Sequence, residues 1–330
     1  MDYYTNDIML TYEKNKELIR DLWENSFDDP EGFVDYYFDT IYEKNKILSA
    51  YVEDELIGMV HLNPYNVEYK GEVSLHYYIV GVAVREDMQG KGVMKLMMNQ
   101  VMSDIRDRGK FSFLMPKKQE YYNSLGFSMV YNTMVLEYSI IDEEEFVKDV
   151  EDNYSSLMLE ISYLSELPKE EYESLANEIN QELRNRYDIF ALRDSDYIDE
   201  LLKEHLCQHG DVCIVRELMS GEDEEGVSPA LVGIFAYDIY DESMYVERFE
   251  AFGHNTVALI TAVMKQAADV TCDRCIVTVA ETDMADINHI ASGVELHMSP
   301  GNGLMAVPLL SDQEEILSEL ESNCFFDEIV

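Results

Sequence analysis

The sequence predicts a mixed α/β fold, with helices packed on a mixed sheet and that unit built twice. Three observations carry the prediction. Helical segments come first, an antiparallel run of strands follows, and strand–helix–strand steps close the first half. The same order of elements returns in the second half. Finally, 330 residues, 47% of them hydrophobic, suffice for two domains of ordinary size.

Taken in order, NKELIRDLWENSF and EGFVDYYFDTIYE read as helices that place Trp23, Phe27, Phe33, Tyr36 and Tyr37 at helical spacings. ILSAYVED and ELIGMVHLNPY read as strands joined by a tight turn around Glu53 to Glu55, and NVEYKGEVSLHYYIVGVAV as a further strand pair. A helix from Gly92 to Arg108 repeats Val93, Leu96, Met97, Val101 and Ile105 at three- to four-residue intervals. The strand FSFLMP, the short helix KKQEYYNSL, a turn at Gly126 and the strands FSMVYN and TMVLEYSI complete a first domain, 1–140. IDEEEFVKDVEDNYSS drops its apolar periodicity and gains acids, which marks 141–156 as a linker. The second domain, 157–310, starts with the strand SLMLEISYL and the helices KEEYESLANEINQELR and SDYIDELLKEHLCQHG. It continues through the strands DVCIVREL, ALVGIFAYDIY and SMYVERFEAF, the helix NTVALITAVMKQAADV and the strands CIVTVAE and LMAVPLL. MSGEDEEGVSP reads as a solvated loop, and 311–330 as a C-terminal helix and tail.

Charge narrows the partners. With 67 acids against 24 bases the formal charge is −43, which opposes nucleic acid and anionic membranes and favours a cationic small molecule or basic peptide. No apolar run reaches the roughly 18 residues of a membrane helix, and MDYYTNDIML lacks the basic start and apolar run of a signal peptide; a cytoplasmic, soluble protein is expected. Five sparse cysteines are expected to be reduced. No metal is expected: on a helix His205 and His209 share a face while Cys207 points away, and Cys272 and Cys275 run into a strand with no helix N-terminus to activate a thiol. A homo-oligomer is left open.

The stretch YIVGVAVREDMQGKGVMKLMM, Tyr78 to Met98, carries the chemistry. A strand that ends in a turn with Gly90 and Gly92 and then starts a helix presents backbone N–H groups with no Cβ in the way, which suits a pyrophosphate. Arg85, Lys91 and Lys95 add local positive charge. The same glycines also serve an ordinary strand-to-helix connection, and the stretch alone does not decide. There is no GxxxxGK[ST], and GKGVMK lacks the GxGxxG spacing of a dinucleotide fold.

Gln89-Gly-Lys-Gly92-Val-Met94 resembles the Gln/Arg-x-x-Gly-x-Gly/Ala turn of the GCN5-related N-acetyltransferase (GNAT) family, departing from it at Met94. EYYNSLGF, about thirty residues on, resembles the family's Phe-Tyr-x-x-x-Gly-Phe segment, so the resemblance covers roughly 1–140. Within the family the chain looks most like the bacterial acetyltransferases of the enhanced-intracellular-survival (Eis-like) type. These tolerate a bulky residue at the position of Met94 and place a second, degenerate acetyltransferase-like domain after the first. Tandem GNAT-like domains are therefore expected, with the cofactor in the first, because QGKG has only EAFGHNT at the corresponding place in the second. The sterol-carrier-like third domain usual in those proteins is expected to be missing, since only 311–330 follow LMAVPLL.

The resemblance implies an N-acetyltransferase that moves an acetyl group from acetyl-coenzyme A to a primary amine of a cationic small molecule by direct attack. The pantetheine arm would follow Val82, Ala83 and Val84, and the pyrophosphate would lie on Gln89, Gly90, Lys91, Gly92, Val93 and Met94, with Lys95 nearby. An N–H near Val82 would polarise the thioester carbonyl. Tyr122 matches the family's general acid, although an aromatic packed under the turn would look the same; Tyr121 would pack or touch the cofactor. No glutamate precedes the cofactor strand in SLHYYIVGVAV. The base is therefore either His76, with an unperturbed pKa near 6.5, or the C-terminal carboxylate of Val330, held near Tyr122 by a tail anchored through Phe325 and Phe326. Trp23, Phe27, Phe33, Tyr36 and Tyr37 are either core or the wall of the acceptor pocket. A protein or peptide lysine acetyltransferase and a non-catalytic coenzyme A-binding module are the alternatives.

Overall fold

A computed structural model describes residues 7–12, 14–218, 229–253, 255–287, 291–310 and 313–326. The first unit runs β1 (Ile8–Thr11), α1 (Lys16–Glu24), α2 (Glu31–Tyr36), a π turn over Tyr37–Ile41, β2 (Lys46–Val52), β3 (Glu55–Tyr69) and β4 (Glu72–Val84). It continues with α3 (Val93–Asp104), β5 (Phe111–Leu114), α4 (Glu120–Asn123) and β6 (Ser128–Tyr131). Local chemistry sets these elements. Asn15 caps α1 by accepting the Leu18 N–H at 3.3 Å, and α1 buries Ile19, Leu22 and Trp23. Val93, Met97 and Val101, spaced by four, seat α3 on the sheet.

The chain then runs β7 (Thr133–Ile140), α5 (Glu143–Ser156), β8 (Leu159–Tyr163), α6 (Tyr172–Arg186), β9 (Ile189–Ala191), α7 (Ser195–Leu206), β10 (Asp211–Glu217) and β11 (Ala230–Tyr240). It ends with β12 (Ser243–Ala251), α8 (Thr256–Asp269), β13 (Arg274–Ala280), β14 (Val294–Pro300), β15 (Leu304–Pro308), α9 (Gln313–Asn323) and β16 (Cys324–Phe325). Apart from Pro229, the expected loop MSGEDEEGVSP lies outside the described residues.

Two sheets result, and they trade strands. The first is ordered β1-β2-β3-β4-β5-β15-β6 and the second β14-β7-β13-β12-β11-β10-β8. Read from the opposite end, the second repeats the first: β4 and β5 are parallel, as are β12 and β13, and one antiparallel strand fills the place beyond each. In the first sheet that strand is β15, from the far end of the chain; in the second it is β7, which follows β6 directly. Each unit thus completes the other, and the duplicated order of elements becomes a reciprocal strand exchange. Met305 and Ala306 sit in the first core, while Leu136 and Tyr138 sit in the second.

The expected domain limits change accordingly. A first domain ending at 140 contains β7, which belongs to the second sheet, and a second domain of 157–310 contains β15, which belongs to the first. The expected linker 141–156 is mostly the helix α5. Asp142 caps it by accepting the Glu145 N–H at 3.0 Å, Glu143 to Glu145 lie at the positive end of its dipole, and Phe146 and Val150 are buried in the second core. The acid run is a helix start, not a solvated spacer. Between the units, β9 pairs antiparallel with the outer end of β3 and parallel with β16, and Arg184 binds Glu68 through two guanidinium nitrogens at 2.8–3.1 Å.

Candidate active site

Strands β4 and β5 are held together only at Tyr77–Ser112 and Tyr78–Phe113 and part beyond them, so β4 from Ile79 to Val84 has its β5-facing edge unpaired. A bulge marks the parting. The β3–β4 register shifts between Met59 and His61, and Gly81 takes φ +57°, where a Cβ would stand 2.5 Å from the Trp23 ring. Of the residues expected along the pantetheine arm, Val82 and Val84 are half-buried against the first core, while Ala83 points to the opposite face among the packed aromatics of α1 and α2.

Beyond β4 the backbone opens into the turn. Gln89 Nε2 donates to the Val84 carbonyl at 3.0 Å, which ties the turn to the strand. Gly90 and Gly92 take φ +72° and +83°, and a Cβ at either would meet nothing within 4 Å, so both face open space. Gly92 caps α3. The first bond of that helix runs from Leu96 N–H to Gly92 O, so the preceding amides, Val93 to Lys95, emerge from the helix end. Val93 is buried and Met94 half-buried against the core, which accounts for a long side chain in place of a small one. Lys95 is exposed beside the helix start and Lys91 half-buried. Arg85 is differently employed: it binds Asp87 at 2.7 Å and Glu55 at 2.8 Å, so its charge is largely neutralised within the loop.

Tyr122 and Tyr121, neighbours on α4, differ sharply. Tyr122 is half-buried against the same core cluster as Val82, Val84 and Met94, meets Phe127 edge-on at 5.8 Å, and burial pushes its phenol up to about 12. Tyr121 is 53% exposed, with Lys118 Nζ 5.6 Å from its ring. His76 is not placed to act as the base. It is fully buried beside Phe111, Nδ1 lies 3.1 Å from the Ser74 carbonyl, Nε2 accepts the Lys110 N–H at 3.1 Å, and burial lowers its pKa to about 4. With both ring nitrogens engaged it is a structural histidine on the paired half of β4. Val330 lies outside the described residues. Phe325 and Phe326, which precede it, pack between the units: Phe325 stacks on Tyr187 at 5.2 Å in the second unit's cluster, and Phe326 packs on Phe113 at 4.5 Å in the first. The Tyr131 hydroxyl donates to the Phe326 carbonyl.

The five aromatic residues of the first helices divide between core and wall. Trp23 stacks on Tyr37 at 4.5 Å over Gly81 and donates its Nε1–H to Asp29 at 2.8 Å; Phe27 and Phe33 pack against the same cluster. Tyr37 accepts from Asn45 Nδ2 at 2.9 Å and lies 2.8 Å from Nδ1 of the fully buried His61, the residue opposite Val80. Burial lowers the His61 pKa to about 3. Of the five, Tyr36 lines a cavity. That cavity, about 180 Å³, lies between the units, and most of its wall comes from residues that carry no sequence motif: Asn45, Asn63 and Tyr65 from the first unit, Tyr197, Glu200 and Arg248 from the second. Only their burial and their meeting across the interface single them out.

Elsewhere, His205 Nδ1 bonds Asp238 at 2.8 Å and Cys207 Sγ donates to the Glu204 carbonyl at 2.9 Å. All five cysteines are free thiols, and burial raises Cys272 and Cys275. Among the described residues no helix is long and apolar enough to cross a membrane.

Comparison with known proteins agrees with this geometry. Residues 8–130 match the family model described as an acetyltransferase (GNAT) domain. No curated protein matches in sequence. Among solved structures, the fold is similar to a conserved protein of unknown function from Enterococcus faecalis V583, described as a probable N-acyltransferase, at 13% identity and a TM-score of 0.64, over 91% of this chain and 71% of that one. It is also similar to a GCN5-related N-acetyltransferase from Kribbella flavida, at 15% identity and TM-score 0.62 over 91% and 70% of the two chains. Eis1 from Mycobacterium abscessus is similar at 11% identity and TM-score 0.56 over 92% and 73%. Residues 8–130 carry a GNAT acetyltransferase domain, a kind that in general binds acetyl-coenzyme A, which makes the chain an acyltransferase, and its likeness to Eis1 is one of fold.

Proposed function

We propose that this GNAT domain transfers the acetyl group of acetyl-coenzyme A to a primary amine of a cationic small molecule, within one complex of enzyme, thioester and amine. The observation that carries the reading is the parting of β4 from β5 directly before an open, glycine-bounded helix start. Where β4 has no neighbour, its backbone from Val82 to Val84 can pair with an extended amide-bearing arm as a further strand would. The fit at the turn is steric and electrostatic: Gly90 and Gly92 leave clear space before the amides of Val93 and Met94, and Lys91 and Lys95 flank it, which suits a pyrophosphate. The cofactor supplies an activated acetyl group and a thiolate leaving group.

The chain's own groups do the rest. A backbone N–H at the bulge near Val82 polarises the thioester carbonyl. Tyr122 keeps its proton at neutral pH, with a pKa of about 12, and delivers it to the departing sulfur. For a chain that ends at Val330, the carboxylate of that residue takes a proton from the ammonium, which frees the amine to attack, and the second proton that the nitrogen sheds as the amide forms restores Tyr122; Phe325 and Phe326 hold the approach between the units. The formal charge of −43 favours a cationic acceptor.

The test is coenzyme A release with a panel of amines. Release with small cationic amines is expected. Gly92→Asp, which places a negative charge in the cradle, should weaken coenzyme A binding at least about tenfold. Removal of residues 327–330 should abolish turnover while coenzyme A still binds. Release only with lysine peptides moves the reading to a peptide acetyltransferase, and coenzyme A binding without release under any amine leaves a binding module.

A further inference from the structure

The bulge in β4 is weakly held by its own backbone. Met59 pairs with Ala83 and His61 with Val80, so the single residue Val60 of β3 faces both Gly81 and Val82, and one of the two is extra to that ladder. On its other edge β4 has already parted from β5 after Tyr78. Gly81, at φ +57°, is a residue that without further restraint takes many conformations. Backbone bonds therefore leave the bulge loose just where the reading above needs an N–H held still.

Side chains from α1, the π turn and β3 supply what the ladder lacks. The six-membered edge of the Trp23 indole lies on Gly81: a Cβ there would stand 2.5 Å from Cζ3, 3.2 Å from Cε3 and 3.3 Å from Cδ2 of His61. Trp23 is itself held on several sides. It stacks on Tyr37 at 4.5 Å, meets Phe27 at 4.9 Å, His61 at 5.2 Å and Phe38 edge-on at 5.9 Å, and its Nε1–H is tied to Asp29 at 2.8 Å. The His61 ring is fixed in turn by the Tyr37 hydroxyl, which Asn45 also holds. All three rings are buried, and a close-packed interior leaves them one arrangement.

Resting on the role given above to the N–H near Val82, we propose that Trp23 and His61 are positioning residues of the transferase. They clamp Gly81 in its left-handed conformation and so aim the bulge amide at the thioester carbonyl, acting through the backbone and not on the reacting atoms. The clamp also accounts for a glycine inside the apolar strand YIVGVAV, because any side chain there would meet the indole.

The readout is the infrared band of the thioester carbonyl in isotope-labelled acetyl-coenzyme A, bound to the full-length protein without amine. On the wild-type protein the band should move to lower frequency, as a polarising donor requires. Trp23→Leu should lose most of that shift and lower kcat about tenfold, less than the roughly 10²–10³ that removing an oxyanion donor outright costs. The dissociation constant of coenzyme A, read by calorimetry, should stay the same. Should that variant fail to fold, Tyr37→Phe keeps the ring and removes only the hydroxyl on His61; it should give a smaller loss of the same sign in both readouts. A variant that melts earlier but keeps the full band shift and kcat overturns the clamp and leaves the donor standing. No shift on the wild-type protein overturns the donor and the clamp with it, while coenzyme A release with amines would still establish the transferase.

Discussion

At the scale of single residues, burial decides what each candidate can do. The motif EYYNSLGF singles out the second of its two tyrosines, Tyr122, and packing adds a second difference from Tyr121, one position away and 53% exposed. Tyr122→Phe should lower kcat by about 10²–10⁴ while the dissociation constant of coenzyme A, read by calorimetry, stays the same. His76 was equally visible in the sequence, yet its two ring nitrogens are spent on Ser74 and Lys110, a fact no spacing reveals. His61 carried no signal, being one polar residue in an apolar strand. Its pKa of about 3 lies below the unfolded value of 6.5, so its contribution to stability is complete above pH 6.5 and is lost as the pH falls toward 3. Between pH 6.5 and 5 the loss is about 2 kcal/mol. Unfolding titrations of His61→Gln, which cannot take up that proton, should show a correspondingly smaller loss over the same interval.

At the scale of elements, strands and helices were mostly legible from period and turn residues, and the errors came from pairing. The run IDEEEFVKDVEDNYSS looked like a spacer because its apolar residues are few, yet Phe146 and Val150, four apart, are enough to seat α5 on the second core. LMAVPLL was readable as a strand, but nothing in its composition says which sheet it joins. As β15 it lies between β5 and β6, with Ala306 opposite both Phe113 and Ser128. Ala306→Pro removes a donor in the middle of that sheet and should destabilise the protein by about 3 kcal/mol or more, seen as a lower denaturant midpoint. If β15 were a dispensable edge, the midpoint would hardly move.

At the scale of the whole molecule, the exchange of β7 and β15 makes the two units one cooperative body. Neither sheet is complete without a strand from the other half, and β9 and β16 add a further bridge. Thermal unfolding should therefore give a single transition, with calorimetric and van't Hoff enthalpies in agreement; two resolved transitions would mean that the units melt independently. Interlocking also fixes the cavity between Asn63 and Arg248, whose walls come from both units and would not survive their separation.

The sequence by itself determined the class of fold, its duplication, and which half carries the glycine turn, because these rest on periodicity, on φ-permissive residues and on short spacings along one chain. The tertiary structure alone decided which strands each sheet contains, which histidines are locked, and that the Trp23 ring closes over the bulge of β4. Those are properties of residues far apart in the chain, and burial and hydrogen-bond satisfaction exist only once the chain has closed on itself.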